Sequence, residues 1–463
     1  MPAKGHEKAT KHMTAPTRRN KRKGCGLALA LAFGLPALVW VLATWYTGAQ
    51  YETELARLRK AGEPLDIADL VRQVPPGEQN AADLYLQAFA LKRNTGGLAN
   101  VSGIPSTHWA ETDWAAARTF VTANQHYFDL LGRATRLAQC AFPFDPNDPS
   151  PAIRAGSQMR EAARALMTRA ELQVADGQTD AALRSCAAIV KLAEGAQSSP
   201  ALVGVLTSSS LQGTGLDEMQ RVLSEATPSP VACRAVAPLL DDGKWREAWV
   251  RAMQGERANA IALFRTFEGG TLNSDVLGSA ASAEAWRYNL YLTLGRPLWN
   301  GEKLANLELA TARIEMMRLP WSQAIGKADQ ISAEEARLPA WQTEFTRPLP
   351  DPTGGMESTT ERLPWIRDRG SARLRAAQIA LALAAYHGKH GSYPLSLTDL
   401  PKDGWKLPLD PFTGAAYHYR QIGGGFVVYS VGPDLKDDGG TDFGHGRFKP
   451  TQPGYDFVFR CAR

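Results

Sequence analysis

Side chains able to do chemistry gather in few places along this 463-residue chain. Asp434, Asp437, Asp438 and Asp442 fall within nine residues, among glycines; a solvated acidic loop between strands is their plainest account. His387 and His390 flank the expected end of a helix, and with His418 or His445 they could ligate a metal. Solvated histidines at a glycine-rich helix end explain them as well. Asp145 and Asp148 lie between prolines and read as turn formers. Glu256 and Arg257 are adjacent at an expected helix start, where a buried ion pair, capping or packing would employ them. No HExxH, GxSxG, SxxK, Walker A or GxGxxG pattern occurs, so the motifs name no reaction.

Cysteine and tryptophan add little chemistry. Cys140, Cys186, Cys233 and Cys461 form an even set that permits two disulfides in an oxidising compartment, with three pairings open. Cys186 and Cys233 sit in apolar helical sequence, where buried thiols are common. No CxxC is present, which removes a zinc ribbon or thioredoxin-type site. Trp109, Trp114, Trp245, Trp249, Trp286, Trp299 and Trp321 are scattered, as expected for packing between helices rather than for an aromatic-lined groove.

The elements that must position these residues begin with a membrane helix. Residues 1–23 hold eight basic residues against Glu7 alone, a net +7 in a chain whose total is +5, so the remainder carries −2. The basicity belongs to the tail and gives the folded part no nucleic-acid footprint. No charge interrupts Gly24 to Tyr51, and Leu27 to Tyr46 is almost wholly apolar. A bilayer core of about 30 Å takes roughly 20 such residues as helix. Trp45 and Tyr46 fall where an aromatic belt meets the far interface, and the basic cluster Arg18 to Lys23 holds the tail in the cytoplasm. Pro36 is tolerable in such a helix through a kink or neighbouring groups. Thr47-Gly48-Ala49 is the competing feature, a small-residue site at which a signal peptide could be cut; the apolar stretch exceeds the roughly 7–15 residues of a signal core.

The organisation expected beyond the tail (1–23) and membrane helix (24–47) is an exported α-helical domain over 48–337, a Pro/Gly-rich linker over 338–368 and a small α+β module over 369–463. Helical spacing is read over 48–63, 79–91 and 111–138, across 155–226, and in 229–240 and 243–268. Met159, Ala163, Leu166 and Ala170 make one stripe, Asp176-Gly177 ends its helix, and Thr179 or Asp180 starts the next. One such pair is a helical hairpin, short of the three repeats a solenoid needs. Pro339, Pro348, Pro350, Pro352 and Pro364 mark the linker. After it, Leu374, Ala377, Leu381 and Ala384 define a helix stripe, Asp410 to Gly414 carries turn chemistry, and 416–421, 426–430 and the segment YDFVFR read as short antiparallel strands.

This order resembles the globular end of the major pseudopilin of type II secretion systems. The residues carrying the likeness are Tyr386, Gly391, Tyr393, Pro394, Leu407, Pro408, Asp410, Pro411, Gly414, Tyr417, Tyr419, Tyr429, Ser430, Gly432 and Asp434. The likeness is confined to the C-terminal part; the N-terminal helix lacks that family's Phe-Thr-Leu-Ile-Glu-like opening. It implies calcium in the acidic loop, with Asp434, Asp437, Asp438 and Asp442 as ligands, and oxygen donors of this kind suit that cation. The expected protein is therefore mainly α, with an N-terminal transmembrane helix, an irregular exported helical domain and a pseudopilin-like α+β end. Its expected place is the bacterial inner membrane, N-terminus inside and bulk outside, with the membrane and an envelope protein as partners and no nucleic acid. The expected role is non-enzymatic, an interaction or scaffold protein linked to a secretion apparatus. The alternative is an extracytoplasmic hydrolase whose site is assembled from distant residues.

Overall fold

The structure, a computed structural model, describes residues 30–91, 108–145, 150–269, 290, 292–336, 360, 362–442 and 456–462. Among them are twelve α-helices and one three-stranded antiparallel sheet. One N-terminal helix is long and apolar enough to cross a membrane.

That helix, α1 (Leu35–Lys60), follows a single π turn over Ala30–Gly34. Pro36 lies where the π turn passes into the α-helix. Residues 33–42 are exposed on every side, whereas Tyr51, Leu55 and Leu58 are buried. The helix is thus bare over its apolar part and packed over its charged part. Gly62, with φ of +73°, ends the helix: Glu63 N–H donates to the Leu58 carbonyl and Gly62 N–H to that of Arg59. Only glycine adopts this left-handed turn without strain.

Next come α2 (Ala81–Ala90), α3 (Glu111–Ala123) and α4 (Gln125–Ala134). The single helix expected over 111–138 is two, broken at Asn124. Asn80 caps α2 and, 61 residues away, also bonds both ways with the Ala141 backbone. The helices α5 (Ser150–Ala175), α6 (Thr179–Ala196) and α7 (Leu202–Glu225) stack side by side. Gly177, at φ +71°, closes α5 where Asp176-Gly177 was expected to. Of the three, α6 is the middle one, buried on nearly every face from Ala182 to Ala196. Then follow α8 (Pro230–Val236), α9 (Gly243–Glu268), α10 (Arg296–Arg318) and α11 (Trp321–Ala336).

The C-terminal part begins with α12 (Arg362–His390), seven residues ahead of the boundary expected at 369. Residues 362–368 of the expected linker are therefore helix, and 338–359 lie outside the described residues. Nor is α12 amphipathic. Its buried set runs almost without a gap from Leu363 to Ala385, including the stripe Leu374, Ala377, Leu381 and Ala384 and the residues between. Burial on nearly every face marks a core helix, although its first half carries Arg367, Asp368, Arg369, Arg373 and Arg375. Its alanines let α7 and α8 close on one side and the sheet on the other. The strands are β1 (His418–Ile422), β2 (Gly425–Ser430) and β3 (Phe457–Cys461), in that spatial order. Tyr419 faces Val428, which faces Phe459. Phe426, Val428, Phe459 and Cys461 share one cluster with Leu381, Leu216, Met219 and Leu183. The helical region and the C-terminal segment thus have a common core.

Candidate functional site

The acidic segment 434–442 does something the sequence did not suggest: it covers the outer face of the sheet. All six residues of β2 are buried although only one sheet face meets α12. Gly440 lies against the Tyr429 ring and Val427 on the opposite face. The cover is tied down by polar contacts. Tyr429 Oη donates to Asp437 Oδ1 at 2.9 Å, as does Gly439 N–H at 2.9 Å. His418 Nδ1 is 3.2 Å from Asp437 Oδ2. Lys436 N–H donates to Asp434 Oδ1. From the far side, Arg420 donates to the Gly439 carbonyl and Arg460 to that of Gly440. Asp442 makes a bridge to Asp456 through the backbone.

Asp456 was not singled out in the sequence, yet it anchors this loop. Its carboxylate, fully buried, accepts from Gly440 N–H at 2.7 Å and from Asp438 N–H at 3.5 Å. Burial raises its pKa to about 6; the two backbone donors oppose that, and Asp438 and Asp437 reinforce it. A second buried carboxylate, Asp410, accepts from Phe412 N–H, Ser430 Oγ and Val431 N–H, fixing the expected turn against β2. Burial pushes its pKa up. Among the described residues no three His, Cys, Asp or Glu side chains converge on a point that could hold a metal ion. Of the four aspartates expected to bind calcium, Asp434 accepts from the loop's own backbone, and Asp437 from the loop backbone and the Tyr429 hydroxyl on the sheet.

The histidines do not meet either. His390 pairs with Asp403 at 2.9 Å, His387 stacks on Tyr393, and His418 stacks on Tyr429. His445 and Asp148 lie outside the described residues. Glu256 and Arg257 point apart: Glu256 Oε1 accepts from Leu202 N–H at the start of α7, and Arg257 reaches Glu63. The described cysteines are all free. Burial, with Glu194 nearby, pushes the Cys140 thiol up to about 12, and burial with Asp180 does the same for Cys233. Trp245, Trp249, Trp299 and Trp321 are buried packing residues, and Trp286 lies outside the described residues.

Two further polar clusters are products of the tertiary fold. In the first, Arg221 joins three carboxylates, Glu171 at 3.0 Å and Glu218 and Glu225 at 2.7 Å. Burial raises the pKa of Glu218 despite Arg221. The i, i+3 and i, i+4 spacing of Glu218, Arg221 and Glu225 is legible in the sequence; Glu171, on α5, is not. In the second, Glu63 receives Arg257 at 2.8 Å, Arg318 at 2.7 Å and Gln254 at 3.3 Å. Burial alone would raise the Glu63 pKa; these three donors outweigh it and hold it at about 2. Glu63 also lines an open cleft of about 620 Å³, with Arg59, Asp66, Asp69 and Arg265. The cleft is lined by charge of both signs. A second cavity of about 90 Å³ is mostly apolar, between Phe142, Met159 and Val203.

No protein-family model matches the chain, and neither a curated protein nor a solved structure is detectably similar to it. The arrangement of its residues therefore carries the functional reading.

Proposed function

We propose that this is a membrane-anchored extracytoplasmic interaction or scaffold protein of a bacterial inner membrane, whose body is mounted rigidly on its anchor. One observation carries the reading. The single helix α1 is bare and apolar over residues 33–42, then continues without a break into the protein core at Tyr51, Leu55 and Leu58. Lys303 sits over the Tyr51 ring, and the Glu63 cluster clamps the end of the helix to α9 and α10. A cut after Ala49 would sever this helix inside a packed stretch, since Gly48 is already against Asn300. That favours retention over removal. With the tail basic, the positive-inside rule puts the body outside the cytoplasm.

A link to a secretion apparatus rests on the residues from Tyr386 to Asp434 that resemble a pseudopilin end, together with their order of long helix, turn and antiparallel strands. The test has two readouts on the full chain in its host membrane. Intact mass and protease accessibility should show an uncut N-terminus and a body digested only from the outer side. In-membrane crosslinking followed by purification should recover envelope components. A mature N-terminus at Gln50, or a body protected from outside protease, would sink the reading.

A further inference from the structure

The body carries a second apolar element beside the anchor. Leu290, Leu294 and Leu298, spaced four residues apart, are 48%, 68% and 39% exposed. They precede and enter α10, which runs parallel to α1. The pairing is explicit along the helices. Trp40 Nε1 donates to the Leu294 carbonyl at 2.6 Å, and Asn300 Nδ2 to the Thr44 carbonyl at 3.2 Å. Lys303 Nζ lies 4.4 Å from the centre of the Tyr51 ring, and Leu55 and Leu307 share a cluster. Going from the body toward the N-terminus of α1, its neighbours change from charged, to amide, to exposed leucine. Glu268, at the end of α9, pairs with Lys303 at the level of Tyr51, and also with Arg296, which lies between Leu294 and Leu298 in the chain.

The level of Leu294 follows from Trp40. Trp40 lies six residues before Tyr46, the expected interfacial aromatic, which is roughly 9 Å along a helix. Apolar faces that lie in a membrane interface insert by about 5–10 Å. If α1 spans the bilayer, Leu294 is carried below the headgroups with it.

We infer that Leu290, Leu294 and Leu298 form an apolar ledge that rests in the outer leaflet of the bilayer beside α1, so that the body touches lipid through two elements. The ledge rests on the anchor reading, and it deepens that reading: two points of contact fix the tilt of the body as well as its height. The Trp40 indole, whose N–H would be unsatisfied among lipid tails, is satisfied by the ledge's own backbone.

The experiment uses the full chain carrying Cys25→Ser, reconstituted into phosphatidylethanolamine–phosphatidylglycerol vesicles. A nitroxide is placed in turn on Val39→Cys, Leu294→Cys and Leu395→Cys, with the Cys25→Ser parent as the labelling background. Leu395 is 90% exposed and serves as the water-facing reference. Spin relaxation by oxygen and by a water-soluble nickel chelate reads each site. The expected result is an oxygen-to-nickel ratio several-fold higher at 39 and 294 than at 395. A lipid signature at 39 with a water signature at 294 overturns the ledge and leaves the anchor standing. Shielding of 294 from both reagents means a protein contact and overturns it too. A water signature at 39 removes the anchor and the ledge together.

Discussion

Glu63 shows how a side chain with no motif becomes important. It lies just past the turn that ends α1 and takes donors from Arg257 and Arg318, 194 and 255 residues away. Its folded pKa of about 2 lies below the ordinary carboxylate value, so the unfolded chain binds more protons between about pH 4.5 and 2. The stabilisation is complete above that window and is lost as pH falls through it. After allowance for solvent screening it amounts to about 2 kcal/mol. Glu63→Gln should lower stability at pH 7 by about that amount and flatten the acid limb of denaturant midpoints against pH. Arg367 and Asp368 are adjacent and both fully buried, and Arg367 also donates to the Met317 carbonyl at 2.6 Å. Asp368→Ala leaves a buried guanidinium short of its counter-ion and should cost about 3–5 kcal/mol in equilibrium unfolding. The acidic cover carries a test of its own. On the pseudopilin resemblance, millimolar calcium should raise the melting temperature and Asp434→Ala should abolish the rise; no rise in the wild type would remove the cation from the loop.

At the scale of elements, the turn between α6 and α7 depends on α9. Arg251 donates to the Gln197 carbonyl at 2.7 Å, and Glu256 accepts from Leu202 N–H at 2.7 Å. The backbone of α9 approaches closely at Gly255, where an added Cβ would stand 1.5 Å from the Pro200 carbonyl oxygen. Gly255→Ala must push the turn away and break both bonds; destabilisation of at least about 2 kcal/mol is expected by urea titration. Helix periodicity gives no hint of this glycine's role. Periodicity does give the bounds of α9, since Gly243–Glu268 is the span read from spacing alone. It fails at α12, where a four-residue stripe is visible but the burial is all-round. Alanine serves equally on a solvent face and against a neighbouring helix, so composition cannot distinguish the two.

At the scale of the whole molecule, α12 and the sheet complete the core of the helical region. Leu381, Phe426 and Phe459 pack in one cluster with residues of α6, α7 and α8. A fragment of residues 369–463 alone would expose the surfaces that α7 and α8 cover. It should show no cooperative unfolding by circular dichroism, while the full chain should unfold with its helical and sheet signals together. A folded fragment would restore the separate module that the prolines of 338–368 suggest.

The sequence by itself determined what depends on neighbours along the chain. It placed the charge in the tail, made an apolar stretch of bilayer length and ended α5 at Gly177. Only the tertiary structure decided which faces those elements bury. It alone placed the acidic quartet over the sheet, gave Arg257 to Glu63 instead of Glu256, and put Leu294 level with Trp40. The physical reason is that helix and strand form from spacings of a few residues, whereas a partner 194 residues distant is chosen by packing, which no local pattern encodes.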